Sequence, residues 1–456
     1  MQTPKYPLNL LARSSVPQEE VSMFTQKRLL LAAMMFLEYA VWGAWTPILG
    51  ATLSSRMNAT GVQIGAVYGV LWLACIITPF IGGQLVDRYM PSQWFLGIAS
   101  GVCAFSAWKM SNQSGFGGLI FWMWVWSLAF APTLGITNSI VFHHLGKENI
   151  SEVERERAFS LVRTAGTVGW IVASLVLTAY LHSRPETAKG QWRPFEELQL
   201  TAIFGVFLTV LSFLLPHTPP SKEAKDPWAF LKAFQLFRTV PGFTAFMVVS
   251  FIVSTEFQFY YVLSGPFMED GLRINHNMIS IYKSIAQYAE IICLGFFTPL
   301  SLKYLGLKKT LIIGTLAWPL RYFIFALQQP VPLVLASMSF HGIGFAFVFV
   351  TSYIYLDRVA PKDIRASAQS LFVLITLGVG NYLGTLFCGQ LKDHYTQFIR
   401  DPNNAAALIP GPVDWPKIFL IPGLLTTLCA VGFWLTFREP RAASSSLDGE
   451  ELPGVA

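Results

Sequence analysis

Charge is what this sequence has least of: Asp, Glu, Lys and Arg together make up 13% of its 456 residues, about half the share of a soluble domain. Such a chain cannot cover itself with a solvated surface. Cysteine is also scarce. The five present, Cys75, Cys103, Cys293, Cys388 and Cys429, lie in apolar stretches with no C-x-x-C spacing, which excludes a disulfide framework and a zinc site and leaves them as packing residues. No H-E-x-x-H, paired His/Asp set or nucleophile elbow is present, so no catalytic residue, metal or cofactor is expected.

Hydrophobic residues, by contrast, make up 53% of the chain, with 14 Trp and 37 Phe, and the mean hydropathy is +0.48. A helix needs about 20 apolar residues to cross a bilayer. Twelve stretches qualify, near 29–51, 62–86, 93–110, 116–142, 159–181, 198–215, 242–264, 277–301, 309–328, 331–356, 366–390 and 417–437. Backbone polar groups in lipid must be satisfied within each segment, so the expected fold is an all-α polytopic bundle. Residues 1–28 are polar, with Pro4, Pro7 and Pro17 and no cleavable apolar core, so no removable signal peptide is expected. Lys and Arg on the side of the two termini outnumber those opposite by about two to one, which predicts cytoplasmic termini. That bias accounts for the net charge of +6 without nucleic acid as a partner. The tail after residue 441 is small, polar and weakly acidic, as disordered tails are.

The chain repeats weakly at an offset of about 216 residues, half the transmembrane region. Gly83-Gln84-Leu85-Val86-Asp87-Arg88 follows the second stretch as Pro299 to Lys309 follows the eighth, and Glu38 corresponds to Glu256 at nearly the same offset. Two six-helix bundles follow, 29–215 and 242–437, joined by a basic cytoplasmic loop at 216–241 and flanked by tails at 1–28 and 438–456. The substrate site is expected between them. These features resemble the major facilitator superfamily, whose first-half loop signature is G-x-x-x-D-R, carried here by Gly83, Asp87 and Arg88.

Polar groups inside the stretches mark the candidate site, because an intramembrane charge costs at least ~2.5 kcal/mol of insertion. Arg163, Thr167 and Trp170 share one helical face at i, i+4 and i+7, flanked by Gly166 and Gly169. Arg163 either snorkels to the headgroups or faces the cavity and donates to a polar ligand. Lys283, Gln287 and Glu290 share a face in the eighth stretch. Lys283 pairs with Glu269 or Asp270, or joins the site, whereas Gln287 and Glu290 read a ligand or bond to another helix. Gln258 and Tyr261 share a face in the seventh stretch, amid rings able to stack on a flat heterocycle. Arg321 is read as structural, and His341 as either a titrating group or a packing residue.

Several segments are similar to the nucleoside:proton symporter family of that superfamily. They include Trp42-Gly43-x-Trp45, Ile64-Gly65-Ala66-Val67-Tyr68, Pro132-Thr133-Leu134-Gly135, Arg163-x-x-Gly166-Thr167-x-Gly169, Ala317-Trp318 with Leu320-Arg321, and Ile364-Arg365-Ala366-Ser367-Ala368-Gln369. The resemblance runs from about Phe36 to Tyr395. It implies nucleoside import with protons by alternating access, with nucleoside contacts at Arg163, Thr167, Gln258, Gln287 and Glu290; the short loops favour a bacterial inner membrane, and a monomer is the default for this fold. Trp170 stands for the family's aromatic residue, Tyr261 for an asparagine, and Ala346, after Phe345, for an acid. Glu290 is the expected proton carrier, with Glu38 or His341 as a second. A sugar symporter or a non-transporting sensor of the same fold would use similar chemistry.

Overall fold

The computed structural model describes residues 25–184, 194–220, 229–361, 364–402 and 404–437. Most of the N-terminal tail, part of the central loop and the C-terminal tail read from the sequence lie outside them. Twelve helical spans follow in order: α1 Gln26–Met57, α2 Gly61–Tyr89, α3 Ser92–Ser111, α4 Phe116–Gly146, α5 Glu152–Ser183, α6 Glu196–Leu214, α7 Phe243–Gly271, α8 His276–Tyr304, α9 Gly306–Leu327, α10 Val331–Val359, α11 Arg365–His394 and α12 Trp415–Thr436. All except α3 contain a stretch long and apolar enough to cross a membrane. Helix α3 has 20 residues but carries four serines, Gln93 and Lys109.

The spans form two six-helix bundles. In the first, α1 packs on α5 and α6, and α3 on α4 and α6; in the second, α9 packs on α12, α7 on α11, and α8 on α10. Aromatic rings fill both interiors. Trp126 stacks on Phe130 at 4.5 Å and meets Trp45 edge-on at 5.4 Å in the first bundle, while Phe267, Phe325 and Phe419 pack together in the second. An antiparallel hairpin, β1 Thr396–Asp401 with β2 Asn404–Val413, joins α11 to α12. The membrane-spanning bundle is all-α as expected, and this hairpin is an added β connection outside the spans. The strands find backbone partners in each other, so this link needs no helix.

Gly83, Asp87 and Arg88 lie in the last turns of α2 rather than in a loop, and their side chains lie outside the described residues. At the opposite end of α2 the bundles meet closely. Thr60 and Gln63 form a reciprocal cap, and Asp393 of α11 accepts hydrogen bonds from the Gly61 and Val62 amides at 2.5 and 2.9 Å. A carboxylate from one bundle thus satisfies orphan amides at the positive end of a helix in the other. No side chain fits between them: a Cβ on Gly61 would lie 2.3 Å from the Gly389 carbonyl oxygen, and one on Gly65 2.3 Å from that of Thr385. Replacing Asp393 by Ala removes a contact worth about 1 kcal/mol. The expected result is severalfold faster thiol labelling of buried Cys388, resolved by mass spectrometry; an unchanged rate contradicts the cap as a closure of this end.

Candidate functional site

Helix α5 reaches the bundle interface because its glycines let α1 approach. A Cβ on Gly169 would lie 2.0 Å from the Phe36 carbonyl oxygen, one on Gly166 2.6 Å from the Tyr39 ring, and one on Gly43 of α1 2.7 Å from the Trp170 ring. This contact aims one face of α5 toward the second bundle. Arg163 does not run free to the headgroups: its guanidinium carbon stands 4.1 Å from the Tyr39 ring centroid, a cation–π contact. Thr167 is half-buried on the same face. Trp170 is buried against Trp42 at 5.4 Å and meets Tyr261 of α7 edge-on at 6.2 Å, across the two bundles.

On α7, Gln258 is fully buried, and its Oε1 accepts a hydrogen bond from Trp72 Nε1 of α2 at 3.1 Å. Its Nε2 has no partner among the described residues. Immediately after it the helix widens to a π turn, Phe259–Leu263. Further π segments lie at Phe267–Gly271, Cys293–Phe297, Phe345–Val350 and Leu374–Gly380, all in the second bundle. A π turn disturbs the i→i+4 ladder and makes carbonyls available to other donors.

That backbone corrects the reading of Lys283. It pairs with neither Glu269 nor Asp270; its buried Nζ donates to the carbonyls of Tyr260 at 3.2 Å and Tyr261 at 3.4 Å and sits 4.8 Å from the Tyr260 ring centroid. Glu269 instead contacts His276 at 3.1 Å, and Asp270 accepts from Trp415 Nε1 at 2.8 Å. The Tyr260 hydroxyl donates to the Lys283 carbonyl at 2.9 Å, and the Gln287 amide meets that hydroxyl. The hydroxyl proton is already committed, so its oxygen accepts from Gln287 Nε2. Gln287 Oε1 is buried without a partner.

Glu290, one turn along α8, is half-buried. It feels the charge of Arg163 across the interface without a direct ion pair among the described residues. A guanidinium from one bundle and a carboxyl from the other thus lie near enough across the interface to interact electrostatically. Phe345 of α10 joins the cluster through Phe257, 6.3 Å from it and 4.9 Å from Tyr261. The adjacent Ala346 is fully buried against Cys293 and Phe347.

The two other titratable candidates are held elsewhere. Glu38 is buried inside the first bundle, where its Oε1 lies 2.6 Å from Thr133 Oγ1, a hydroxyl that also lies 2.6 Å from the Phe130 carbonyl oxygen, and its Oε2 has no partner among the described residues. His341 is buried among Tyr260, Phe257 and Trp318, with its Nδ1 3.3 Å from Arg321 Nη1. Guanidinium only donates, so Nδ1 accepts and the ring is neutral in this arrangement. Arg321 itself is fully buried, with its charge over Tyr260, Trp318 and Tyr322 at 4.7 to 4.9 Å. It acts as a packing hub of the second bundle.

The arrangement therefore joins Arg163, Thr167 and Trp170 of α5, Gln258 and Tyr261 of α7, Gln287 and Glu290 of α8, and Phe345 of α10. Sequence reasoning missed Tyr39, Trp72 and Tyr260. They are aromatic residues in an aromatic-rich chain, and only their contacts distinguish them. Chemically the site offers donors, one amide oxygen, one carboxyl and flanking rings, a set suited to a polar ligand with a flat portion.

Comparison with known proteins bears on this geometry. The family described as nucleoside H+ symporter matches residues 23–442. The chain is 29% identical to the putative nucleoside transporter YegT of Escherichia coli, covering 90% of this chain and 93% of YegT. It is 28% identical to the xanthosine permease of the same organism, with 90% and 95% covered. The crystal structure of the nucleoside transporter NupG superimposes with a TM-score of 0.76 at 25% identity, covering 91% of this chain and all of that one.

Proposed function

Because the chain belongs to the nucleoside H+ symporter family, we propose that it imports nucleosides with protons by alternating access, its bundles at 29–215 and 242–437 rocking about the site between them. The observation that carries this reading is the placement of complementary groups on opposite bundles, with Arg163 and Trp170 on one side and Tyr261, Gln287 and Glu290 on the other. A ligand bridging them closes the bundles together. Ribose hydroxyls and base edges suit the guanidinium and the amides, and the heterocycle suits Trp170 and Tyr261. The proton rides on Glu290, since neutralising a half-buried carboxyl lowers the cost of occlusion. Lys and Arg placement supports cytoplasmic termini, and we propose with it a monomer in a bacterial inner membrane.

Uptake of labelled uridine and adenosine by cells lacking their own nucleoside transporters tests this. Saturable uptake that an uncoupler abolishes, and that excess nucleoside but not excess sugar competes away, is expected. Competition by sugar, or expressed protein without nucleoside flux, overturns the reading.

A further inference from the structure

We infer that Trp72 is a positioning residue that fixes Gln258 as a hydrogen-bond donor, so that the transporter prefers nucleosides with an oxo group at C4 of a pyrimidine or C6 of a purine over those with an amino group there. The inference rests on the nucleoside reading above and goes beyond it to substrate choice. An unrestrained carboxamide can rotate by half a turn and offer either its oxygen or its NH2 group. Gln258 has no such freedom. The indole Nε1–H of Trp72 is a donor only, and it lies 3.1 Å from Oε1, so the oxygen must face Trp72 and the NH2 group must face away. Gln258 is 0% exposed and Trp72 7%, so water cannot compensate a reversed amide. Nε2 is left buried and without a partner among the described residues, as a donor waiting for an acceptor would be.

The surroundings point to the base rather than the sugar as the group it meets. Trp72 lies 5.9 Å from Trp42, which lies 5.4 Å from Trp170, which in turn meets Tyr261. A flat ring among these side chains presents its polar edge in its own plane, where a fixed amide can read it. The hydroxyl-binding chemistry of Arg163 and Glu290 is left for the ribose. The oxo group at C4 of uridine or C6 of inosine accepts from the Gln258 NH2 group; the amino group that cytidine or adenosine carries at that position would oppose donor to donor. Such a mismatch leaves a buried group unpaired, a cost of about tenfold in affinity.

The test compares initial uptake of uridine with cytidine, and of inosine with adenosine, in wild type, Trp72→Phe and Gln258→Met. Wild type is expected to favour uridine and inosine by about tenfold. Trp72→Phe keeps a ring but frees the amide to rotate, so the ratio falls toward one, mainly by a lower KM for cytidine and adenosine. Gln258→Met removes the donor with Trp72 intact and lowers the ratio as well, which provides the answer if Trp72→Phe does not reach the membrane. Equal losses for all four nucleosides in Trp72→Phe would make Trp72 a structural contact between the bundles and overturn the inference. A wild type without preference also overturns it, while leaving nucleoside transport standing. A wild type that carries none of the four overturns both.

Discussion

Gly169→Ala is expected to abolish the folded transporter, although it adds a single methyl group. The new Cβ would lie 2.0 Å from the carbonyl oxygen of Phe36, 2.8 Å from its carbon and 3.0 Å from its Cα. These are backbone atoms, so no rotamer change relieves the clash and α1 must move away from α5. In lipid, helix association depends on close van der Waals packing rather than on burial from water, and small residues supply it. Separation would also pull apart Gly43 from Trp170 and Gly166 from Tyr39 along the same seam. Overpacking of this kind costs about 1 to 3 kcal/mol when the neighbours can give, and more when they are backbone. The expected result is aggregated protein on size-exclusion chromatography in mild detergent. Gly135→Ala is the control, because a Cβ there meets nothing within 4 Å, and it should elute as wild type does. A monodisperse Gly169→Ala protein would contradict the packing assigned to α5.

Glu290→Gln is expected to separate transport from energy coupling. The substitution keeps the size of the side chain and mimics the protonated carboxyl, with an oxygen that accepts and a nitrogen that donates, while it removes the negative charge and the ability to take up and lose a proton. In the wild type a proton entering with the nucleoside falls through the membrane potential, worth about 2.3 kcal/mol per 100 mV. That corresponds to about 50-fold accumulation of substrate. With Gln at this position no proton is carried, and accumulation should stop when the two sides are equal. Exchange of nucleoside for nucleoside should persist, since Arg163, Gln258 and Gln287 are untouched. The position of Glu290, half-buried and without an ion-pair partner among the described residues, makes it the carboxyl in the site that is free to change state. Glu38 lies inside the first bundle beside Thr133, and His341 is engaged by Arg321.

Most of this site was legible because periodicity in an apolar span is easy to read. Arg163, Thr167 and Trp170 at i, i+4 and i+7 had to share a face, as did Gln287 and Glu290, and a polar face in lipid had to meet another helix. The environment of Lys283 was hidden for the opposite reason. Its acceptors are the backbone carbonyls of Tyr260 and Tyr261, within a π turn that no 3.6-residue pattern announces. Trp72 was hidden by number, as one of 14 indoles. The hairpin at 396–413 is hard to read because Pro402, Pro410, Gly411 and Pro412 are loop signals. Only the ladder from Thr396 opposite Val413 to Asp401 opposite Asn404 reveals it.

Uridine flux in proteoliposomes holding wild-type or Glu290→Gln protein, driven in one set by an inward proton gradient and in the other by counterflow alone, tests the central claim most directly. Proton-coupled nucleoside transport through Glu290 predicts that the gradient concentrates uridine in wild-type vesicles only, while both proteins support counterflow. Gradient-driven accumulation by Glu290→Gln equal to that of wild type would contradict it.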